Sequence, residues 1–329
     1  MNSIDKLFII GNGFDRWQGL PTSYKSFREY YEKHKFEVCK QLDIQPIKMS
    51  SSKGKTFTIT PFDLIYCGLD CEIGFDGETD DEFEVAALDV NYWNEIESNL
   101  GELDDFTING YYGKEDDDLE DMKKDLDDAV ILIKKCLYNW IRSIEIKRSY
   151  PKYDFSNALF FNFNYTETLQ KRFGVSSELD YHIHGCRDLE ASLVFGHDSF
   201  SEEPTEAFNV FGGRFRGLYH IQNTLSQTDK KASERIKAFK EWLSSKNISL
   251  ANVKEVYVLG HSLSKVDYKY FKFFAKTLSK KAVWKFSFFS PEDEKRIMRF
   301  VKKEKIKSYA LNKGIDTLLQ PFEVSGYKE

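Results

Sequence analysis

Hydrophobic and polar positions along this chain follow two alternating patterns. Short runs are apolar at nearly every position, which is typical of strands buried on both faces of a sheet. Longer stretches repeat an apolar residue every three or four positions, which is typical of amphipathic helices. The runs predict strands in the segments KLFII, NALFFNF, LDYHIHG, SLVFG, EVYVL, AVWKFSF and IKSYAL. The periodic stretches predict helices at residues 22–38, 119–144, 229–245 and 291–304, in YFKFFAKTL, and directly after NALFFNFNYT.

Strands that alternate with helices predict an α/β fold, Rossmann-like, with a mostly parallel sheet and helices on both faces. The pattern breaks down between residues 40 and 118, where polar segments, scattered glycines and an acidic run replace it. We therefore predict an α/β core formed by residues 1–39 and 119–329, with a helical or irregular insertion at residues 40–118. Within the insertion, the segment from Trp93 to Leu100 is predicted to be a short helix.

Three predicted strands end in glycine or polar residues, in the segments FIIGNGFD, FFNFNYT and VYVLGHSLS. Ligands of parallel sheets bind at the carboxyl ends of the strands, so we expect these three ends to line one crevice. Gly11 and Gly13 permit a tight turn whose N–H groups can cradle phosphate, but GxGxxG is incomplete, and a plain turn explains the pair about as often. Asp15 is expected either to cap the next segment or to bond a sugar hydroxyl.

Histidines are concentrated at the same predicted strand ends, in the segments HIHG, FGH and LGHS. His182 and His184 alternate with Ile183, so a strand would direct both imidazoles to one face, and Gly185 would leave space beside them. The competing interpretation is that His182 packs in the protein and only His184 faces the crevice.

Two other chemistries compete for these strand ends. GHSLS resembles the nucleophile elbow of serine hydrolases, but its fifth residue is Ser264 instead of glycine and no histidine follows His261. Ser262 and Asp267 are therefore interpreted as groups that bind ribose or cap a helix. The pair of histidines in HIHG also permits a metal-dependent hydrolase, for which the remaining ligands would come from His197, Asp188 or Asp198.

Charge and cysteine content narrow the class of protein. The net charge of -6 argues against a nucleic-acid surface spread over the whole molecule, although residues 102–128 are rich in acids and residues 265–313 in lysine. The five cysteines form no CxxC pair and no signal peptide is recognisable, so we expect a reduced, cytoplasmic protein. No apolar stretch approaches the roughly 20 residues that cross a bilayer, so no membrane association is expected.

Five segments of the chain together resemble the AbiH family of bacterial phage abortive-infection proteins. They are LFIIGNGFDRWQGLPTSYKSF, YWNEIESNL, FNFNYTETL, HIHG with LVFGH, and VLGHSLSKVDYKYF, and they occur in this order from Leu7 to about Phe274. A remoter similarity, in the order of a Gly-x-Gly turn, an asparagine, a His-Gly and a Gly-x-Ser strand end, is to sirtuin-like NAD-consuming domains. The four-cysteine zinc ribbon of sirtuin deacetylases is missing, and Thr166 replaces their usual aspartate, which argues against deacetylation.

The remoter resemblance implies a role for each strand end. Asn164 would orient the nicotinamide ribose or a water, and His184 would act as the general base. Gly11 and Gly13 would hold the pyrophosphate, and the turn after EVYVL would hold the adenosine side. Together with the strand-end reasoning, this gives a nucleotide-binding set of Gly11, Asn12, Gly13, Asp15, Gly260, His261, Ser262 and Asp267.

The resulting hypothesis is a cytoplasmic anti-phage effector that binds NAD or a related nucleotide and hydrolyses its nicotinamide glycosidic bond. No metal cofactor is expected. One alternative is a protein that is not an enzyme, a phage sensor that binds a nucleotide without catalysis. Another is a metal-dependent hydrolase or nuclease whose ligands include the histidines of HIHG. The acidic and lysine-rich segments suggest contacts between copies of the chain or with a partner of the defence system, and a nucleic-acid partner is not expected.

Overall fold

A computed structural model describes residues 4–50, 56–63, 116–148, 153–196 and 230–319. The chain divides into two compact units. The first, here the sheet unit, comprises Met1–Ser23, Ile141–Val194 and Lys231–Glu329. The second, here the hairpin unit, comprises Tyr24–Trp140 and Phe195–Lys230.

The sheet unit is built on six parallel strands in the order β5-β4-β1-β6-β7-β8. The first strand of the chain lies in the middle, where it pairs with β4 on one side and β6 on the other. The strands are β1 (Lys6–Ile10), β4 (Ala158–Asn162), β5 (Asp180–His182), β6 (Glu255–Leu259), β7 (Val283–Phe288) and β8 (Tyr309–Lys313). The predicted α/β fold with a parallel, Rossmann-like sheet is confirmed.

Helices cover both faces of this sheet because its strands are apolar on both sides. Leu7, Ile9 and Phe161 pack under α5 (Ala232–Ser245), α6 (Tyr268–Thr277) and α7 (Pro291–Glu304). Phe8 and Ile10 pack on the opposite side with α1 (Asn12–Trp17) and α4 (Thr168–Phe173). Each βα unit thus returns its helix to the sheet and leaves the carboxyl ends of the strands as one polar edge.

The hairpin unit contains two long helices and a two-stranded antiparallel sheet. Its described elements are α2 (Tyr24–Leu42), β2 (Ile47–Ser50), β3 (Thr56–Ile59) and α3 (Asp116–Ser143), whose last three residues belong to the sheet unit. The predicted helices at residues 22–38 and 119–144 are therefore present with slightly different ends. No helix among the described residues is long and apolar enough to cross a membrane.

A buried polar network holds the hairpin unit together. Asp63 accepts hydrogen bonds from the hydroxyl of Tyr31 at 3.0 Å and from the backbone N–H of Thr60 at 2.9 Å. Nζ of Lys35 lies 3.1 Å from the second carboxylate oxygen of Asp63 and 2.7 Å from Glu32. Burial opposes the charge on Lys35, but Asp63 and Glu32 outweigh it and raise the pKa of the lysine. The network is a compensated ion pair inside the protein.

Two predicted elements differ from the structure. The segment SLVFG is not a strand: its first residue, Ser192, ends a short 3-10 helix at Glu190–Ser192, and the chain then continues without sheet pairing. Strand β5 ends at His182, so the prediction that His182 and His184 share a strand is wrong. The chain turns at Gly185, whose φ of +81° favours glycine and whose added Cβ would lie 2.1 Å from the carbonyl oxygen of Ser192.

The insertion predicted at residues 40–118 is only partly described. Strands β2 and β3 lie within it, whereas the helix predicted from Trp93 to Leu100 lies outside the described residues. The division of the chain into a core and this insertion stays a prediction.

Candidate functional site

Two glycine turns, one after β1 and one after β6, are in direct backbone contact. The N–H of Gly13 donates to the carbonyl of Gly260 at 2.7 Å, and the N–H of Gly11 donates to the carbonyl of Leu259 at 2.9 Å. A Cβ at Gly260, where φ is +64°, would lie 2.2 Å from the backbone nitrogen of Phe14. The glycines therefore allow close packing of two turns, and a phosphate could reach the N–H groups of Gly11 and Gly13 only by replacing these bonds. Their predicted role in phosphate binding stays a prediction.

Asn12 and Asp15 lie on α1, a helix that the sequence did not predict within GNGFD. Nδ2 of Asn12 donates to the carbonyl of Thr22 at 2.7 Å, which ties the start of this helix to the loop that follows it. The carboxylate of Asp15 is buried and accepts a hydrogen bond from the hydroxyl of Thr166, just beyond β4. The ends of β1 and β4 are thus joined through Asp15, and the predicted ligand crevice at the strand ends stays a prediction.

The segment after β4 holds Asn164 in one position. Its backbone N–H donates to Oδ1 of Asn162 at 3.0 Å, and its carbonyl lies 2.8 Å from Nδ1 of His182. Nε2 of His182 lies 3.1 Å from Oδ2 of Asp180, which also accepts from Asn162. Burial opposes the positive charge of His182, but Asp180 outweighs it and raises the pKa of the imidazole. A protonated ring donates from both nitrogens, which suits the carboxylate and the carbonyl that it faces.

Two buried polar atoms at these strand ends have no partner in the described part of the chain. Nδ2 of Asn164 and Oδ1 of Asp15 make no hydrogen bond of acceptable geometry there. Burial raises the pKa of Asp15 to about 6, against the lowering effect of Thr166, Thr168, Asn164 and His182. Asp15 therefore titrates close to neutral pH. Asn164 nevertheless lies close enough to lower the pKa of Asp15, so this donor and this acceptor are near each other, and a water or a ligand hydroxyl between them would give both a well-formed partner.

A second cluster joins the ends of β5 and β6. Nε2 of His184 lies 3.9 Å from Oδ1 of Asp267, and Nε2 of His261 lies 3.4 Å from Oδ2 of the same carboxylate. Nδ1 of His261 accepts from the N–H of Leu263 at 2.9 Å, which places the ring proton of His261 on Nε2, facing Asp267. Asp267 thus lies between two histidines, and all three side chains are buried.

His184 and His182 have different surroundings. The ring of His184 packs edge-on against Phe163 and Tyr270, with centroids 5.4 Å and 5.9 Å away. His182 instead bonds Asp180 and the backbone of Asn164. His182 is therefore fixed by hydrogen bonds to Asp180 and Asn164, whereas His184 lies among aromatic rings with its Nε2 3.9 Å from Asp267, and its predicted role as a general base stays a prediction.

The turn after β6 is shaped by strain and by α7. Leu263 adopts a left-handed φ of +50°, which costs a non-glycine residue on the order of 1 kcal/mol. Nε of Arg296 donates to the carbonyl of Ser262 at 2.8 Å. Within the described residues no hydrogen bond joins the hydroxyl of Ser262 to a histidine, so this turn lacks the serine–histidine pair of a serine hydrolase.

His182 and His184 of HIHG do not form a potential metal-binding cluster with Asp188. Among the described residues, the group with ligand atoms close enough to hold an ion is Glu167, Cys186 and Asp188, with all ligand atoms within 4.8 Å of one another. Nε of Arg187 already bonds Glu167 at 2.8 Å, which provides positive charge at this place. A hydrogen bond with Glu167 raises the pKa of Asp188. His197 and Asp198, the other predicted ligands, lie outside the described residues.

Comparison with known proteins gives one family. The family model described as bacteriophage abortive infection AbiH matches residues 7–288. No curated protein and no solved structure matches the chain.

Proposed function

This chain belongs to the AbiH family of bacteriophage abortive infection proteins, and we propose that it serves that defence by binding NAD or a related nucleotide and hydrolysing the nicotinamide glycosidic bond. The match covers most of the chain and supports the anti-phage role. The proposal for the chemistry rests on the strand ends of the sheet unit.

The observation that carries the proposal is the pair of buried polar atoms on Asn164 and Asp15, which lie near each other but make no hydrogen bond of acceptable geometry among the described residues. One is an amide donor and the other a carboxylate acceptor, and they belong to the ends of the neighbouring strands β4 and β1. A ribose presents two adjacent hydroxyl groups, each able to donate and accept a hydrogen bond. The vicinal diol of a nucleotide therefore fits a site with one open donor and one open acceptor.

The same residues provide what glycosidic hydrolysis needs. When the bond from ribose C1′ to the nicotinamide nitrogen breaks, its electron pair neutralises the pyridinium and leaves positive charge on the sugar. The carboxylate of Asp15 would stabilise that charge, and the amide of Asn164 would orient the ribose or the attacking water. His184, oriented by Asp267, would take the proton that this water loses as its oxygen bonds to C1′.

Thr166 supports this arrangement at the position where the sequence departs from the sirtuin-like pattern. Its hydroxyl donates to Asp15, so a carboxylate is present beside position 166 although the residue itself is not an acid. The charge comes from α1 instead of from the loop after β4.

The decisive experiment is to incubate purified protein with NAD and to follow nicotinamide release. We expect release from the wild type and from Asn252→Ala, an exposed asparagine that precedes β6, at the opposite end of that strand from the site, and loss of release from Asn164→Ala. Tight NAD binding without nicotinamide release would favour the hypothesis of a phage sensor without catalysis and contradict the hypothesis of an enzyme. Absence of both NAD binding and nicotinamide release would contradict the proposal that NAD is the ligand of this site.

Metal analysis of the same preparation tests the competing hydrolase. We expect activity that survives a chelator, because the proposed groups are a carboxylate, an amide and an imidazole. Stoichiometric zinc or manganese, with activity that a chelator removes and the metal restores, would favour a metal-dependent hydrolase.

A further inference from the structure

Positive charge is concentrated in one part of the chain. Residues 230–319 contain 22 Lys and Arg against 9 Asp and Glu, a formal net charge of +13, although the whole protein carries -6. This segment supplies three of the helices that cover one face of the parallel sheet, together with three of its strands. The overall acidity of the protein therefore conceals a strongly basic region.

The exposed charges of this region are aligned on α6 and α7. Both helices follow parallel strands and pack in the same layer, with the rings of Phe271 and Phe300 5.8 Å apart between them. Basic residues recur every three or four positions on the outer side of each helix, about 5 Å apart along its axis. We call this surface the basic face; its exposed residues are Lys272 and Lys276 on α6 and Lys295, Arg299 and Lys302 on α7.

Among the described residues, no acidic side chain forms an ion pair with Lys272, Lys276 or Lys302 of the basic face. In the described ranges, the ion pairs formed by the strands and helices around it join Lys285 to Glu255 and Arg296 to Asp293. The acids of α7 are confined to its first turn, where they favour the positive end of the helix dipole. The charge of the basic face is therefore open to a partner.

We propose that the basic face binds the phosphate backbone of nucleic acid without sequence preference. Lysines on rigid helices act as point charges for phosphates, and such contacts provide nearly all of non-specific affinity. Aromatic anchors and a depletion of lysine are typical of protein interfaces, and the basic face shows the opposite composition. A helix that lies on a membrane exposes an apolar side, whereas Met298 is the one large apolar residue exposed on these two helices.

The test is fluorescence anisotropy with short labelled RNA and DNA, single-stranded and duplex, at several salt concentrations. The variant Lys272→Gln/Lys276→Gln/Lys302→Gln removes three charges from the basic face. The matched control, Lys25→Gln/Lys33→Gln/Lys40→Gln, removes three exposed lysines from α2 in the hairpin unit. Unfolding midpoints of all three proteins establish that they are folded.

We expect the wild type and the control to bind alike, and the basic-face variant to bind at least about tenfold more weakly at low salt. The slope of log affinity against log salt for single strands should fall by about 2, because each lost phosphate contact contributes about 0.7. Equal binding by the variant and the control, or absence of binding by the wild type, would overturn the proposal.

Two further measurements identify a different partner. Binding of the wild type to vesicles of phosphatidylcholine and phosphatidylserine, but not to nucleic acid, would assign the face to a membrane. Self-association at low salt that the variant loses, again without nucleic-acid binding, would assign it to contacts between copies of the chain. Either result overturns the proposal, and neither affects the nicotinamide experiment, because the substituted lysines lie outside the strand-end site.

Discussion

Each unit of this protein buries an aspartate, and the two aspartates are held in opposite ways. Asp63 in the hairpin unit and Asp15 in the sheet unit are each 1% exposed. Both oxygens of Asp63 are bonded, and Lys35 provides a positive charge beside them. Asp15 accepts from the hydroxyl of Thr166 on one side and has no partner among the described residues on the other.

The comparison distinguishes an acid that stabilises the fold from one that is available for chemistry. A buried carboxylate remains ionised when a cation and several donors surround it, and it then contributes to a specific packed structure. At Asp15 burial outweighs the hydrogen bonds and the charge of His182, which is why the pKa of Asp15 rises to about 6. Asp15 therefore changes charge near neutral pH.

The largest effect should come from His184, the proposed general base at the strand ends. His184→Gln keeps a polar side chain of similar length but cannot accept the proton, so we expect nicotinamide release to fall by about 10²-fold to 10⁴-fold. The control is His34→Gln in the hairpin unit, which should keep wild-type activity. Full activity of His184→Gln would remove the histidine from the reaction.

The next effect should appear in the stability of the hairpin unit. Asp63→Asn leaves the buried Lys35 with Glu32 as its remaining counter-charge, and we expect the free energy of unfolding to fall by up to about 3 to 5 kcal/mol in a urea titration. The double variant Asp63→Asn/Lys35→Met removes both charges and should recover much of that loss. An unchanged midpoint for Asp63→Asn would contradict the structural role of this acid.

Asp15→Asn should change stability with the opposite sign. The pKa of folded Asp15, about 6, lies above the usual 3.8, so its protonated form is favoured by folding. The contribution of Asp15 to the free energy of unfolding is fully present below pH 3.8 and is lost as the pH rises through 6. The total loss is about 3 kcal/mol, at 1.36 kcal/mol per pKa unit. At pH 7.5 Asp15→Asn should therefore be more stable than wild type by up to this amount, and the difference should vanish near pH 4.

The smallest effect should come from removing the hydroxyl of Thr166, which donates a hydrogen bond to Asp15. Thr166→Val removes this donor at nearly constant volume, so we expect a loss of about 1 kcal/mol at pH 7.5. The pKa of Asp15 should rise further, which would move the pH dependence of unfolding upward. An identical pH profile for Thr166→Val and wild type would show that the hydroxyl does not act on the carboxylate.

The sheet could be predicted from the sequence because its strands are apolar on both faces. KLFII, for instance, appears in the structure as Lys6–Ile10 without any shift. SLVFG is equally apolar but too short to distinguish a strand from an irregular buried segment, and there the prediction failed. The turn at Gly185 depends on its contact with Ser192, which the sequence pattern does not reveal.

The residue types of the candidate site could be predicted better than their pairings. Parallel strands predict that Asn164, His184 and Asp267 belong to one edge, but not that Asp267 lies between His184 and His261. Such a pairing depends on the register of β5 and β6, which do not neighbour each other in the sheet. A charge of -6 for the whole chain likewise averages over the basic C-terminal part and obscures it.

The central position of β1 sets the order in which this protein can be completed during translation. Ile10 pairs with Leu259, and Gly13 bonds Gly260, so about 250 residues must follow the first strand before its second neighbour exists. At typical synthesis rates that interval lasts on the order of 10 to 50 seconds. Throughout it the ribosome carries a chain without the turn after β6 and without Asp267, so the strand-end site is assembled only when most of the protein has been made.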